Sequence, residues 1–160
     1  MARLALLDKV PLPAENIIPI TYKNSPEKAA QNYEAQLRLR FNAEFPRFDL
    51  ILLGLGTDGH TASLFPGTTA VNEQIRWTSP ATPLNQTLSR ITLTLPVINA
   101  AANILFLVVG KNKAAVMQQI INNPQIQPPL PAQLVNPAQG TLMWLLDEAA
   151  GQQLASTEKK

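Results

Sequence analysis

The chain has 160 residues, 46% of them hydrophobic and 15% charged, with a formal net charge of +2. That suits one domain with its own core. With no cysteine and one histidine, disulfides, thiolate catalysis, zinc–cysteine centres and histidine-rich metal sites are excluded. The basic residues are scattered: Arg38, Arg40 and Arg47 share a polar stretch with Glu34 and Glu44, and Lys159 and Lys160 end the chain. A nucleic-acid face needs denser basic residues with interleaved aromatics, so no nucleic-acid partner is expected. The longest apolar stretch, 100–109, contains Asn103 and reaches about half of the ~20 residues a spanning helix needs. The opening apolar residues are broken by Asp8 and Lys9, too soon for a secretory core. A cytoplasmic protein with no membrane partner is expected.

Residues 2–9 read as the end of a helix stopped by Pro11 and Pro13, and Ile17–Ile20 as a short extended piece. Ser25 before Pro26 and Glu27 is a helix start. Tyr33, Leu37 and Phe41 then recur at four-residue spacing, which predicts an amphipathic helix to about Asn42. Residues 48–53 read as a buried strand and 74–78 as a candidate strand. Residues 90–95 alternate with period two, and Pro96 opens a short helix to about Ala101. Residues 103–109 form a second apolar strand ended by Gly110, followed by a helix over 111–121 with Ala115, Val116 and Ile120 available to pack. Residues 122–140 are rich in Pro, Gln and Asn and read as a loop, with Leu134 and Val135 extended. A last strand spans 142–146, and Asp147 caps a closing helix. Trp77 and Trp144 are assigned to packing.

Helices alternating with apolar strands predict a mostly parallel α/β sheet covered on both faces, without internal repeats. The opening helix has no preceding strand to cover. The pattern therefore suits the carboxyl-terminal portion of a longer fold.

The chemistry concentrates after residues 48–53, in the segment Gly54-Leu55-Gly56-Thr57-Asp58-Gly59-His60-Thr61-Ala62-Ser63-Leu64-Phe65-Pro66-Gly67. Loops at the carboxyl ends of such strands are where open α/β sheets bind ligands. Gly54 to Gly59 fits G-x-G-x-x-G. A dinucleotide site also needs a long helix next, which Pro66-Gly67 forbids, and an acidic residue ending the following strand. Gly110-Lys111-Asn112-Lys113 fails as a phosphate-binding P-loop because Asn112 occupies the Ser/Thr position. A lone histidine is more often structural than catalytic. The position of His60, two residues from Asp58 and among glycines, favours catalysis. Arg90 precedes one strand and Lys113 follows another, so whether the two cations converge depends on strand direction.

Residues 48–67 closely resemble the signature of the 6-phosphogluconolactonases. Arg90-Ile91-Thr92-Leu93-Thr94, residues 106–114 and residues 144–150 support the resemblance in the right order. It implies a Rossmann-like three-layer sandwich with a mostly parallel sheet, here a single domain over residues 1–160 lacking its amino-terminal portion. That portion would carry an earlier glycine-rich phosphate loop and an Asp-Glu-Arg motif. The wider superfamily includes glucosamine-6-phosphate isomerases, whose motif has a glutamate just before the Pro-Gly. Phe65 stands there in this chain, which favours the lactonase.

The resemblance implies hydrolysis of a phosphosugar lactone without metal or organic cofactor. His60 would be the general base for water attack and Asp58 its orienting carboxylate. Arg90 and Lys113 would hold the substrate phosphate, and backbone N–H groups in the segment from Gly56 to Gly59 would face the developing oxyanion. Two alternatives stay open: a sugar-phosphate-binding fragment without catalysis, and an aminosugar-phosphate isomerase.

Overall fold

The protein is described by a computed structural model covering residues 2–22, 25–84, 86–123 and 125–154. Met1, Lys159 and Lys160 lie outside the described residues. The elements in chain order are α1 (Ala2–Ala5), α2 (Pro26–Arg38), β1 (Ile51–Leu53), β2 (Thr78–Ala81), β3 (Arg90–Leu93), α3 (Leu95–Asn99), β4 (Asn103–Val108), α4 (Ala114–Asn122), β5 (Thr141–Leu146) and α5 (Glu148–Gly151). One-turn 3-10 helices intervene, at Lys111–Lys113 and Pro131–Leu134 among others.

Strands β1, β4 and β5 form a parallel sheet in the order β1-β4-β5. Leu53 pairs with Phe106, and Val108 with Leu146. Strands β2 and β3 form a separate antiparallel hairpin, with Ala81 opposite Arg90. The α/β class with a parallel sheet stands, but the period-two strand at 90–95 does not join that sheet. The strand expected at 74–78 starts at Thr78 instead. Glu34 on α2 draws the hairpin in: its carboxylate accepts the N–H groups of Trp77 at 2.9 Å and Thr78 at 3.3 Å. Trp77 is fully buried with Leu37 and Val97, and its indole N–H donates to the Glu44 carbonyl at 2.8 Å.

Local signals place most ends. The Ser25 hydroxyl accepts the Lys28 N–H at 3.2 Å, a cap worth about 1 kcal/mol. Helix α2 stops at Arg38 rather than Asn42. Its apolar spacing runs on to Phe41, but that ring leaves the helix and packs edge-on against Phe48, 5.0 Å between centroids. In α4, Val116, Met117 and Ile120 are buried whereas Ala115 faces out, a correction to its expected packing. Residues Pro131–Leu134 are a 3-10 turn with Ala132 buried, so Leu134 is not extended, whereas Val135 after it is extended, as expected, and buried. Residues 2–9 form α1 and a 3-10 turn with no buried residue, and Ile17–Ile20 pairs with no strand.

The sheet packs one face. Ile51, Leu53, Ile104, Phe106 and Val108 lie in the main core with Val116, Met117, Ile120 and Ala150. Phe106 stacks on Trp144 at 3.9 Å between ring centroids. The alternate residues face the other way and stay exposed: Leu52 (55%), Leu107 (43%), Met143 (46%) and Leu145 (60%). Covering on both faces is therefore not found among the described residues. The apolar runs predict it, but these side chains on the second side stay exposed.

Candidate active site

Parallel pairing sends the carboxyl ends of β1, β4 and β5 to one rim. The loop 54–67 leaves β1 there, and the 109–113 turn leaves β4. Asp147, directly after β5, ties this rim together. Both of its carboxylate oxygens accept the Gly110 N–H at 3.0 Å, and one also accepts the Ala150 N–H at 2.8 Å. The expected cap of the closing helix thus also fixes the turn that carries Lys113.

The 54–67 loop folds on itself. Gly56 N–H donates to the His60 carbonyl at 2.8 Å, and Gly59 N–H to the Gly56 carbonyl at 3.1 Å. The Thr61 hydroxyl returns to the Gly54 carbonyl at 2.9 Å. A side chain at Gly56 would overlap the His60 ring and the Asp58 carboxylate. Gly59 sits at φ +80, and a Cβ there would meet Leu130 at 2.9 Å. Glycine is therefore required at both positions by space or backbone angle. Their amides, however, donate within the turn. Of the N–H groups from Gly56 to Gly59 expected to face a ligand, those of Gly56 and Gly59 are instead used within the turn, and these two glycines shape the loop.

His60 Nδ1 lies 2.6 Å from Asp58 Oδ1, and the same oxygen accepts the His60 N–H at 3.2 Å. Slight burial pushes the Asp58 carboxyl up, but the side-chain and backbone hydrogen bonds from His60 and its charge outweigh that and leave it below the usual range. An ionised carboxylate only accepts hydrogen bonds. Nδ1 must then carry the proton, and in the neutral ring the free lone pair falls on Nε2. Side-chain exposure of 29% for His60 keeps this site open to solvent. The pair is arranged as an oriented proton acceptor.

Phe65, 5% exposed, anchors its ring in the main core. Its centroid lies 4.5 Å from that of His60, and the Arg90 guanidinium sits 5.3 Å from it. The hairpin brings Arg90 in: Ser63 N–H donates to the Thr92 hydroxyl at 3.2 Å, and Arg90 donates to Gln86 at 3.1 Å. Arg90 thus reaches the histidine through a shared aromatic ring. Lys113 comes separately, at the head of α4 on the same rim. Sequence reasoning used Phe65 only as the residue standing in a glutamate's place. An aromatic in an apolar run looks like core, and its contacts on two polar residues carry no sequence signal. Among the described residues, no three His, Cys, Asp or Glu side chains gather as a metal would need.

The family description "Glucosamine-6-phosphate isomerases/6-phosphogluconolactonase" matches residues 1–144. The chain belongs to this family. It is 42% identical to a human 6-phosphogluconolactonase over 154 residues, 95% of this chain and 59% of the relative. A Synechocystis 6-phosphogluconolactonase is 46% identical over 159 residues, 96% of this chain and 65% of the relative. The crystal structure of a devB protein superposes with a TM-score of 0.87 at 36% identity, covering 96% of this chain and 65% of that one. The chain thus spans about three fifths of the length of the curated relatives it matches. The rim loop lies within the residues matched by the family description. Among the described residues no helix is long and apolar enough to cross a membrane.

Proposed function

We propose that this chain supplies the catalytic rim of a 6-phosphogluconolactonase, hydrolysing 6-phospho-D-glucono-1,5-lactone to 6-phosphogluconate in the cytoplasm, within the oxidative pentose phosphate pathway. The observation that carries the reading is the Asp58–His60 pair, in which Nε2 has no hydrogen-bond partner among the described residues, on the same rim as Lys113 and one ring away from Arg90. Names of relatives at 42% and 46% identity support the substrate class.

In this mechanism a water attacks the lactone carbonyl while His60 Nε2 takes its proton. Asp58 holds the imidazole by Nδ1 and stabilises the imidazolium that forms. Collapse of the tetrahedral intermediate breaks the bond to the ring oxygen, and the imidazolium returns the proton to that oxygen. Arg90 and Lys113 hold the phosphate, each charge-assisted contact being worth about 1.5–3 kcal/mol. No metal, organic cofactor or nucleic acid enters the scheme. At the position where the resemblance implies a glutamate in the isomerases, the ring of Phe65 offers no acid or base, which favours lactone hydrolysis over isomerisation.

The bare face favours a second reading for this stretch alone. It is the carboxyl-terminal portion of a larger single domain, and without a covering layer it binds a sugar phosphate but does not turn over. The decisive experiment measures 6-phosphogluconolactone hydrolysis above the spontaneous rate, alongside calorimetric binding of 6-phosphogluconate. Catalysis supports the first reading and binding alone the second. The absence of both rejects both readings.

A further inference from the structure

Resting on that reading, we infer that Phe65 is a positioning residue that aligns the base and the phosphate anchor on one rigid aromatic platform. Among the described residues, the His60 side chain has one hydrogen bond, to Asp58, and the Arg90 side chain one, to Gln86. One contact fixes an atom but leaves the rest of a side chain free to swing about it. The ring of Phe65 supplies the second contact to each. Its centroid is 4.5 Å from that of His60 at a 44° tilt, within the range of favourable aromatic pairs. The Arg90 guanidinium lies 5.3 Å from the same centroid, inside the ~6 Å reach of a cation–π contact.

The platform can do this because it is held on its own account. Phe65 is 5% exposed and packed in the main core. The backbone that carries the ring is tied on both sides: Leu64 N–H donates to the Thr61 carbonyl at 2.8 Å, and the Thr68 hydroxyl donates to the Phe65 carbonyl at 2.8 Å. A rigid ring touching two otherwise loosely held functional groups sets the distance between them. In a lactone hydrolase the two groups meet the reacting carbonyl and the phosphate, so the ring aligns the base with the phosphate anchor.

The test uses Phe65→Leu and Phe65→Met, which keep apolar bulk without a ring, and Phe65→Tyr, which keeps the ring. His60 is the only histidine, so its imidazole signals are unambiguous by NMR. The Nδ1 proton bonded to Asp58 should be visible in the native chain and in Phe65→Tyr, and should broaden by exchange in the ringless variants. In parallel, 6-phosphogluconate affinity should fall about three- to tenfold in the ringless variants, as the loss of one such contact implies. Arg90→Ala should weaken binding strongly in the native background and much less in Phe65→Leu. A purely space-filling Phe65 would give an unchanged Nδ1 signal in any folded ringless variant and additive effects with Arg90→Ala; that result overturns the inference. If the native chain neither binds nor hydrolyses the phosphosugar, the functional reading fails, and the Nδ1 comparison still decides whether the ring positions His60.

Discussion

The rim loop 54–67 and the outward face of the β1-β4-β5 sheet grow from the same strands, yet one is closed and the other bare. The loop satisfies its own backbone at Gly54, Gly56 and Gly59 and is capped by Ala132 N–H on the Gly59 carbonyl at 3.0 Å. The outward face leaves Leu52, Leu107, Met143 and Leu145 in water. An apolar patch of this kind on a sheet marks a surface meant to be covered. The difference teaches that the chemistry of this chain is local while its architecture is shared. The groups that move protons are held by contacts within a single loop, whereas the sheet beneath them needs a second layer.

The largest expected effect probes the closed region. Replacing His60 with Ala should cut lactonase turnover about 10²–10⁴-fold and leave the far-ultraviolet circular dichroism and the denaturation midpoint nearly unchanged. A variant as active as the native protein would remove the imidazole from the reaction and dissolve the contrast from the chemical side.

Next comes a direct contrast of the two faces within one strand. Phe106→Ala empties a fully buried site stacked on Trp144 and should cost about 3–5 kcal/mol in urea denaturation. Leu107→Ala, one residue on, should stay within about 0.5 kcal/mol. An equally large loss at Leu107 would show that the outward face is covered in solution. The two faces would then not differ.

These neighbours also show what was legible in the sequence. Both sit in one apolar run, and composition cannot distinguish a side chain that has found a partner from one that has not. The run located β4; only the folded chain shows which half of it is packed. The resemblance named Asp58 as the carboxylate that orients His60, but a two-residue spacing in a loop does not by itself fix that contact; the folded turn brings the two side chains to 2.6 Å. The route of Arg90 to the site was not readable, since it depends on an antiparallel hairpin folded against α2 by Glu34. The glycines misled in a particular way. Their spacing suggests amides turned toward a ligand, but Gly56 is there because the His60 ring lies where its Cβ would be.

A smaller effect tests that steric account. Gly59→Ala places a Cβ at φ +80 and 2.9 Å from Leu130, which should cost about 1–3 kcal/mol and loosen the segment that caps the loop. At Gly54 no atom lies within 4 Å of the place a Cβ would occupy, and Ala there should cost less than about 1 kcal/mol. Equal costs by thermal denaturation would mean that the turn relaxes and does not need glycine at Gly59.

The smallest effect sharpens the contrast on the closed side, in the turn that leads from the rim to the hairpin. One oxygen of Glu73 accepts the N–H groups of Ile75 at 2.9 Å and Arg76 at 3.1 Å, and the other meets Arg76 Nε at 2.6 Å. Slight burial alone would raise its pKa; the two backbone N–H groups and the Arg76 guanidinium outweigh this and bring it down to about 2. A carboxyl depressed by folding stabilises the native state at pH values above its unfolded value of about 4.3 and loses that contribution as pH falls toward the folded one. The stability gap between the native chain and Glu73→Gln should therefore be constant at neutral pH and narrow progressively from about pH 5 downward. Urea midpoints collected across that interval measure it. A gap that does not narrow with acid would mean the Glu73 carboxylate is not held by these donors in solution, and that the turn before the hairpin is looser than its hydrogen bonds imply.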